Sequence, residues 1–220
     1  MAERLKSPAA PIQNLLVITS HIEKYFGGDF FVLHEEKPTL VHIDVNVVLP
    51  SPARPFYTLL TSGMSDRKMR VRHKVADSAL AEVCLCLPKE WPINQHDMKW
   101  ATPEFFWPIA VLRKVALYPH LHETWLSSGH MIGSIEHPNR LDPEGRFVGL
   151  VLVEPLTFPE GAGRVGAADG GEIRYLAVIP LRQSELAFKL KFGTDALETQ
   201  LRAANVTELL DPHRDSAISS

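Results

Sequence analysis

His120, His122, Glu123 and His130 put three imidazoles and a carboxylate into one short stretch of the chain. Zinc takes such ligands, and two histidines one residue apart in extended chain can turn both rings to one side. A metal-dependent hydrolase built on His120, His122 and His130 is therefore one reading of this sequence. Against it, the stretch directly follows Tyr118 and Pro119, where polar loop residues are expected, and it lacks a helical His-x-x-x-His pair.

The other candidate chemistries are thinner. Ser62, Ser65, Cys84 and Cys86 could serve as nucleophiles, but the serines lack the Gly-x-Ser-x-Gly elbow that presents a hydroxyl at a strand-to-helix turn. Cys84 and Cys86 sit in an apolar run beside Glu82, and both burial and a nearby carboxylate hold a thiol protonated. GAGRVG at 161–166 spells G-x-G-x-x-G. The dinucleotide fingerprint needs that string between a strand and a helix start, whereas here prolines precede it and AADGG follows, so a mobile loop over 159–171 is expected. No catalytic set assembles, and the chain is expected to be neither an enzyme nor the holder of a cofactor or metal.

Two features suit surface recognition instead. Residues 67–74, RKMRVRHK, form the one concentrated basic run, suited to phosphate or to an acidic protein face. Between 41 and 49, Val41, Ile43, Val45, Val47 and Leu49 alternate with His42, Asp44, Asn46 and Val48. Such alternation marks a strand with one face buried and the other polar and wet. The polar row joins Tyr57 on the next strand, Asp66, and Arg67 and Arg70 at the rim. His42, Asp44, Tyr57, Asp66, Arg67 and Arg70 are therefore the expected partner-binding residues.

Composition frames these readings. The chain has 220 residues, 45% hydrophobic and 22% charged, with a net charge of −3. That suffices for one sizeable domain and argues against a dedicated nucleic-acid binder, which carries a strongly basic stripe. The two cysteines lie two strand positions apart, about 6.5 Å, at the far edge of disulfide geometry. Reduced thiols and a cytoplasmic setting follow. The N-terminus has no signal-like apolar core and no apolar run approaches membrane length, so no membrane partner is expected.

Periodicity then supplies the scaffold. Ile12, Leu15, Leu16, Thr19, Ile22 and Phe26 recur at helical spacing from Pro11 until Gly27 and Gly28 stop the helix. Strand patterns cover 30–33, 41–49, 56–62, 80–87, 147–153 and 173–179, while 124–132 stays ambiguous. Thr102, Pro103 and Glu104 start a helix that restarts at Pro108 and runs to Pro119, with Ile109, Leu112, Val115 and Ala116 inward and Arg113 and Lys114 outward. Ser184 caps a helix carrying Leu186 and Leu190, Gly193 breaks it, and a last helix places Leu197 and Leu201 on one side. The fold class is α/β, or α+β: a mixed sheet with flanking helices in one domain over 1–205, followed by a polar, disordered tail over 206–220.

Several of these segments also carry a family likeness. FYTLLTSGMSD at 56–66 followed by AEVCLCLPKEWP at 81–92 resembles the Suppressor of fused family, whose members show "YTLxTSGMSD" ahead of "AExxLxLPxxWP". HIDV at 42–45, the run from Trp107-Pro108 to Tyr118-Pro119, Trp125 to His130 and the stretch from Ile179-Pro180-Leu181 to Leu190 resemble further family segments in the same order. Met131 departs from the pattern, standing where the family has a polar residue. The resemblance implies a mixed α/β domain that acts by binding protein. Longer animal members hold an extended peptide between this domain and a second one, and the single-domain form is similar to bacterial members that act as immunity proteins. A non-catalytic immunity or inhibitor protein is therefore expected, occluding a toxin domain or an extended peptide segment. The partner's identity and the oligomeric state stay open.

Overall fold

The structure is a computed structural model that describes residues 13–37, 40–71, 79–133, 135 and 140–218. Pro11 and Ile12 of the first expected helix, and 72–74 of the basic run, lie outside the described residues.

One eight-stranded mixed sheet organises the chain. The strands are β1 (Phe30–Leu33), β2 (Asp44–Val48), β3 (Phe56–Ser62), β4 (Leu80–Pro88), β5 (Met131–Gly133), β6 (Gly149–Val153), β7 (Arg164–Gly166) and β8 (Glu172–Leu181). Their order is β1-β2-β3-β4-β8-β6-β5, with β7 paired to β8 off this path. Neighbours run antiparallel except β4 and β8, which are parallel, so β4 passes to the other half of the sheet through a long crossover.

Helices cover both faces. The helix α2 (Pro103–Leu121) packs Ile109, Leu112, Val115 and Ala116 against Val45, Val47, Leu59, Val83, Leu85 and Leu152. On the opposite face α1 (Gln13–Phe26), α3 (Gln183–Phe192) and α4 (Thr194–Ala203) bring Ile18, Ile22, Leu186, Leu197 and Leu201 onto Leu60, Cys84, Tyr175, Ala177 and Ile179. A sheet covered on both faces has no wet side, which corrects the reading of β2. All five of its residues are buried, and Asn46 is 1% exposed. Its amide donates to the Leu60 carbonyl at 3.2 Å and to Ser62 Oγ at 3.1 Å, as a buried polar group must.

Four further expectations give way for physical reasons. The buried stripe of α1 is Ile18–Ile22–Phe26, while Leu15 and Leu16 are exposed, because His21 Nε2 meets the Ala162 carbonyl and fixes the rotation. α2 runs through Pro108 without a break: the sixth residue of a helix forfeits one backbone bond there, and the apolar stripe around it outweighs that loss. α3 buries Leu186 but leaves Leu190 exposed. The stretch 159–171 forms the β7–β8 hairpin, with Ala162 and Val165 buried beneath α1. Gly166 therefore leads to a turn and a strand rather than a helix, and the phosphate-cradle geometry is not built.

The C-terminal residues 206–218 also differ from the expected tail. Leu210 N–H donates to the Cys86 carbonyl and Cys86 N–H to the Glu208 carbonyl, adding a parallel bridge at β4. The Glu208 side chain, fully buried, accepts from Leu156 N–H, Thr157 N–H and Thr157 Oγ1. Glu208 is thus a buried, hydrogen-bonded group, while Asp211, His213 and Asp215 remain exposed. Among the described residues, no helix is long and apolar enough to cross a membrane.

Candidate functional site

The segment that dominates the sequence pattern turns out to be a structural lock. β3 ends at Ser62, Gly63 takes φ 111°, and Met64–Asp66 closes one turn of 3-10 helix. That turn wraps the carboxylate of Glu82, which is fully buried in β4. Glu82 Oε1 accepts from Gly63 N–H at 3.0 Å, Ser65 N–H at 2.9 Å and Ser65 Oγ at 2.7 Å, and Oε2 accepts from Thr61 Oγ1 at 2.6 Å. Burial pushes its pKa up, and the hydroxyl and amide donors oppose that push. Thr61, Gly63, Ser65 and Glu82 thus serve one another, and none is offered to a substrate.

The histidines read as metal ligands part company. His120 Nε2 meets the Met64 carbonyl at 3.0 Å in the core, and burial lowers its pKa. His122 lies over Tyr118 and His130 meets the edge of Trp125. Their nitrogens do not converge, which removes the geometric basis of the hydrolase reading. Cys84 and Cys86 are free and buried; burial drives Cys84 well above the ordinary thiol range and Cys86 up to about 12. Neither forms the thiolate that nucleophilic chemistry needs at neutral pH. Trp100 is 5% exposed and donates its indole N–H to the Asn94 carbonyl.

Of the expected partner-binding residues, four gather at one end of the sheet. Asp44 opens β2, with His42 Nε2 at 2.8 Å from its Oδ1 and His34 Nδ1 at 2.9 Å from its Oδ2. Glu35 N–H also donates to Asp44 Oδ1, and Glu35 Oε2 accepts from Ile43 N–H, so the two chain ends of the β1–β2 pair are clasped. Asp66 lies within electrostatic reach of His42, and exposed Arg67 follows it. Burial raises the Asp66 pKa to about 6, against the opposing pull of His42, and its Oδ1 has no hydrogen-bond partner among the described residues.

Two expected residues do not join this group. Asp44 pairs with Ser62, five positions along β3 from Tyr57, or about 17 Å. Tyr57 also packs on the α2 face, opposite the face that carries Asn46 and Ser62. Arg70 forms an exposed ion pair with Glu123 at 2.5 Å, beyond the end of α2.

Sequence reasoning missed His34, Glu35 and Arg113. His34 and Glu35 reach Asp44 through the β1–β2 pairing and Arg113 through the packing of α2 on the end of β1, so no local spacing could signal them. Arg113, expected to point outward, is half-buried and donates from Nη2 to the Leu33 carbonyl at 2.8 Å. Burial lowers its pKa, while Glu35, Asp44 and Glu36 favour its charge. Beside it opens a cleft of about 890 Å³ between β1 and the start of α2, lined among others by Phe31, Leu33, His34, Met98 and Phe106. β1 ends the sheet, and among the described strands nothing pairs with its outer side.

Comparison with known proteins fits this architecture. The fold is similar to a SUFU (suppressor of fused protein) homolog from Neisseria gonorrhoeae, with TM-score 0.65 and 17% identity, covering 96% of this chain and 100% of that one. It is also similar to a chain of the Sufu–Fu complex, with TM-score 0.63 and 13% identity over 94% of this chain and 93% of that one. Drosophila Suppressor of Fused matches with TM-score 0.58 and 14% identity over 92% of this chain, which spans 49% of that longer one. No curated protein sequence matches. A sequence profile of the Suppressor of fused protein (SUFU) family covers residues 39–215, most of the chain and every element from β2 to α4, and the chain belongs to that family.

Proposed function

We propose that this protein is a non-catalytic binding module that neutralises a protein partner by stoichiometric occlusion, in the manner of an immunity or inhibitor protein. The observation that carries the reading is the edge of β1, unpaired among the described strands, beside a cleft that mixes aromatic and aliphatic side chains with charged ones. An extended segment can add there as a further strand, its backbone pairing with β1 and its side chains entering between Phe31, Met98 and Phe106. Family membership supports the same reading, since a related fold has been seen in complex with Fu. The clasped group of His34, His42 and Asp44, with Asp66 and Arg67 nearby, forms the polar rim of this surface. Its charges fix register and orientation, and the apolar floor supplies affinity.

The test is a stoichiometric one. A partner captured from the source cell is purified, and its activity is titrated with this protein. Occlusion predicts a linear fall that ends at one molecule per partner, and a strand-blocking Val32→Pro change should weaken it at least tenfold. Loss of partner activity at far below one equivalent would mean turnover and would discard the reading.

A further inference from the structure

We propose that His34, His42 and Asp44 form a binding site for a borderline divalent transition-metal ion of the zinc type. Among the described residues, this is the one group of three His, Cys, Asp or Glu side chains whose ligand atoms lie within 4.8 Å of one another. His34 Nδ1 and His42 Nε2 face the same carboxylate from opposite oxygens, at 2.9 and 2.8 Å. A tetrahedral zinc ion with bonds of about 2.0–2.1 Å holds its ligand atoms about 3.4 Å apart. An ion there takes the place of the protons in the two hydrogen bonds: the N···O gaps open toward that value, and the wider separations, all within 4.8 Å, close toward it.

The site is organised as metal sites are. Asp44 is the fixed member: its side chain is 12% exposed, and Glu35 N–H holds Oδ1. The imidazoles are the accessible members, with side chains 74% and 50% exposed, so an ion can enter from solvent and water can complete its shell. Support of a ligating carboxylate by a backbone N–H is the second layer that sets ligand direction. Charge agrees as well. Glu35, Glu36 and Asp44 outnumber Arg113 and Lys37 around the cleft, leaving an excess of negative charge for a dication. Two nitrogens and an oxygen, without sulfur, favour zinc, cobalt or nickel over calcium or magnesium. An ion there would tie the end of β1 to the start of β2, beside the cleft.

Calorimetric titration of Zn²⁺ into chelator-treated protein, with no partner present, tests this. One ion per chain is expected, with a rise in melting temperature on zinc addition. His34→Ala and His42→Ala should each weaken binding about 10- to 100-fold, and the double change should remove it. The double variant also loses two hydrogen bonds to Asp44, so the stability readout is its failure to melt higher on zinc addition than it does without metal. The visible spectrum of bound Co²⁺ reports nitrogen and oxygen ligation in the unaltered protein, independently of any substitution. Undiminished zinc uptake by the double variant, or none by the wild type at submillimolar concentration, overturns the proposal. Either result leaves the partner-binding reading untouched, because no partner enters the experiment.

Discussion

The carbonyl oxygen of His42 lies 1.8 Å from the point where a β-carbon on Gly63 would stand. The backbone entering β2 therefore runs against the turn leaving β3, and only glycine allows the approach. This contact couples the two parts of the molecule that matter most. The Gly63 turn wraps Glu82 in the core, and the same turn presses on the residue whose ring meets Asp44 at the surface.

Gly63→Ala should accordingly be costly twice over. The left-handed backbone is strained for alanine, and the methyl group must displace the His42 carbonyl. A loss of more than about 2 kcal/mol in urea unfolding is expected. It should come with weaker partner capture, since His42 moves. Wild-type stability in this variant would show that the two strands do not meet as described.

Glu82→Ala strips the acceptor from two backbone N–H groups and leaves a cavity beneath them. Buried donors without partners cost about 1–3 kcal/mol each, so a loss of roughly 3–5 kcal/mol is expected. Glu82→Gln keeps an oxygen for Gly63 and Ser65 and turns an amide toward Thr61, and should lose less than half as much. Equal losses in the two variants would mean that shape, not hydrogen bonding, holds the turn.

Asp66 gives a pH dependence of definite sign. Its folded pKa, about 6, lies above the ordinary 3.8, so the folded state holds its proton more tightly than the unfolded chain. Stability from this group therefore falls as pH rises from about 4 to 6, and the penalty persists above that. Asp66→Asn should melt higher than wild type at pH 7, with the difference shrinking steadily and lost below about pH 3, where the carboxyl is neutral in both the folded and the unfolded chain. Melting curves at pH 7 and at pH 3 decide it; a constant difference would mean that the carboxylate is solvated.

The order of strands and helices was legible because most elements carry their own period, as in 56–62, 80–87 and the stripe of α2. What sequence could not supply was the second face of the sheet. Alternation in β2 looked like a wet face, yet α1 and its neighbours cover it, and Asn46 finds its partners across β3. Composition misled in the same way at 159–171 and after 205, where small or polar residues pack or hydrogen-bond inside. The candidate site was half visible. His42, Asp44 and Asp66 lie near one another, with Arg67 next along the chain, while Tyr57 and Arg70 lie elsewhere, and His34, Glu35 and Arg113 arrive only through long-range packing. The strongest motif was read as a family mark, and its physical reason is a buried carboxylate that needs Thr61, Gly63 and Ser65 in place.

The C-terminal segment offers the last test. Arg214 donates through Nη1 and Nη2 to the two oxygens of Glu185, at 2.5 and 2.8 Å, and from Nη2 to the Pro180 carbonyl. Glu185 is fully buried, and Arg182 N–H and Ala217 N–H complete its shell. Burial pushes its pKa up, but Arg214 and these amides outweigh that and hold it below the ordinary 4.5. The pair therefore stabilises the fold above that pH, and the contribution fades as pH falls through the lowered folded value. Arg214→Ala leaves a buried carboxylate without its cation, for which a loss of about 3–5 kcal/mol is expected at pH 7. Arg214→Lys keeps the charge but not the paired geometry and should fall between. Because Arg214 sits nine residues past the expected domain end at 205, shortening the chain to that point should cost at least as much. Equal urea midpoints for the shortened and full chains would show that the last residues are dispensable, and that Glu185 is served from elsewhere.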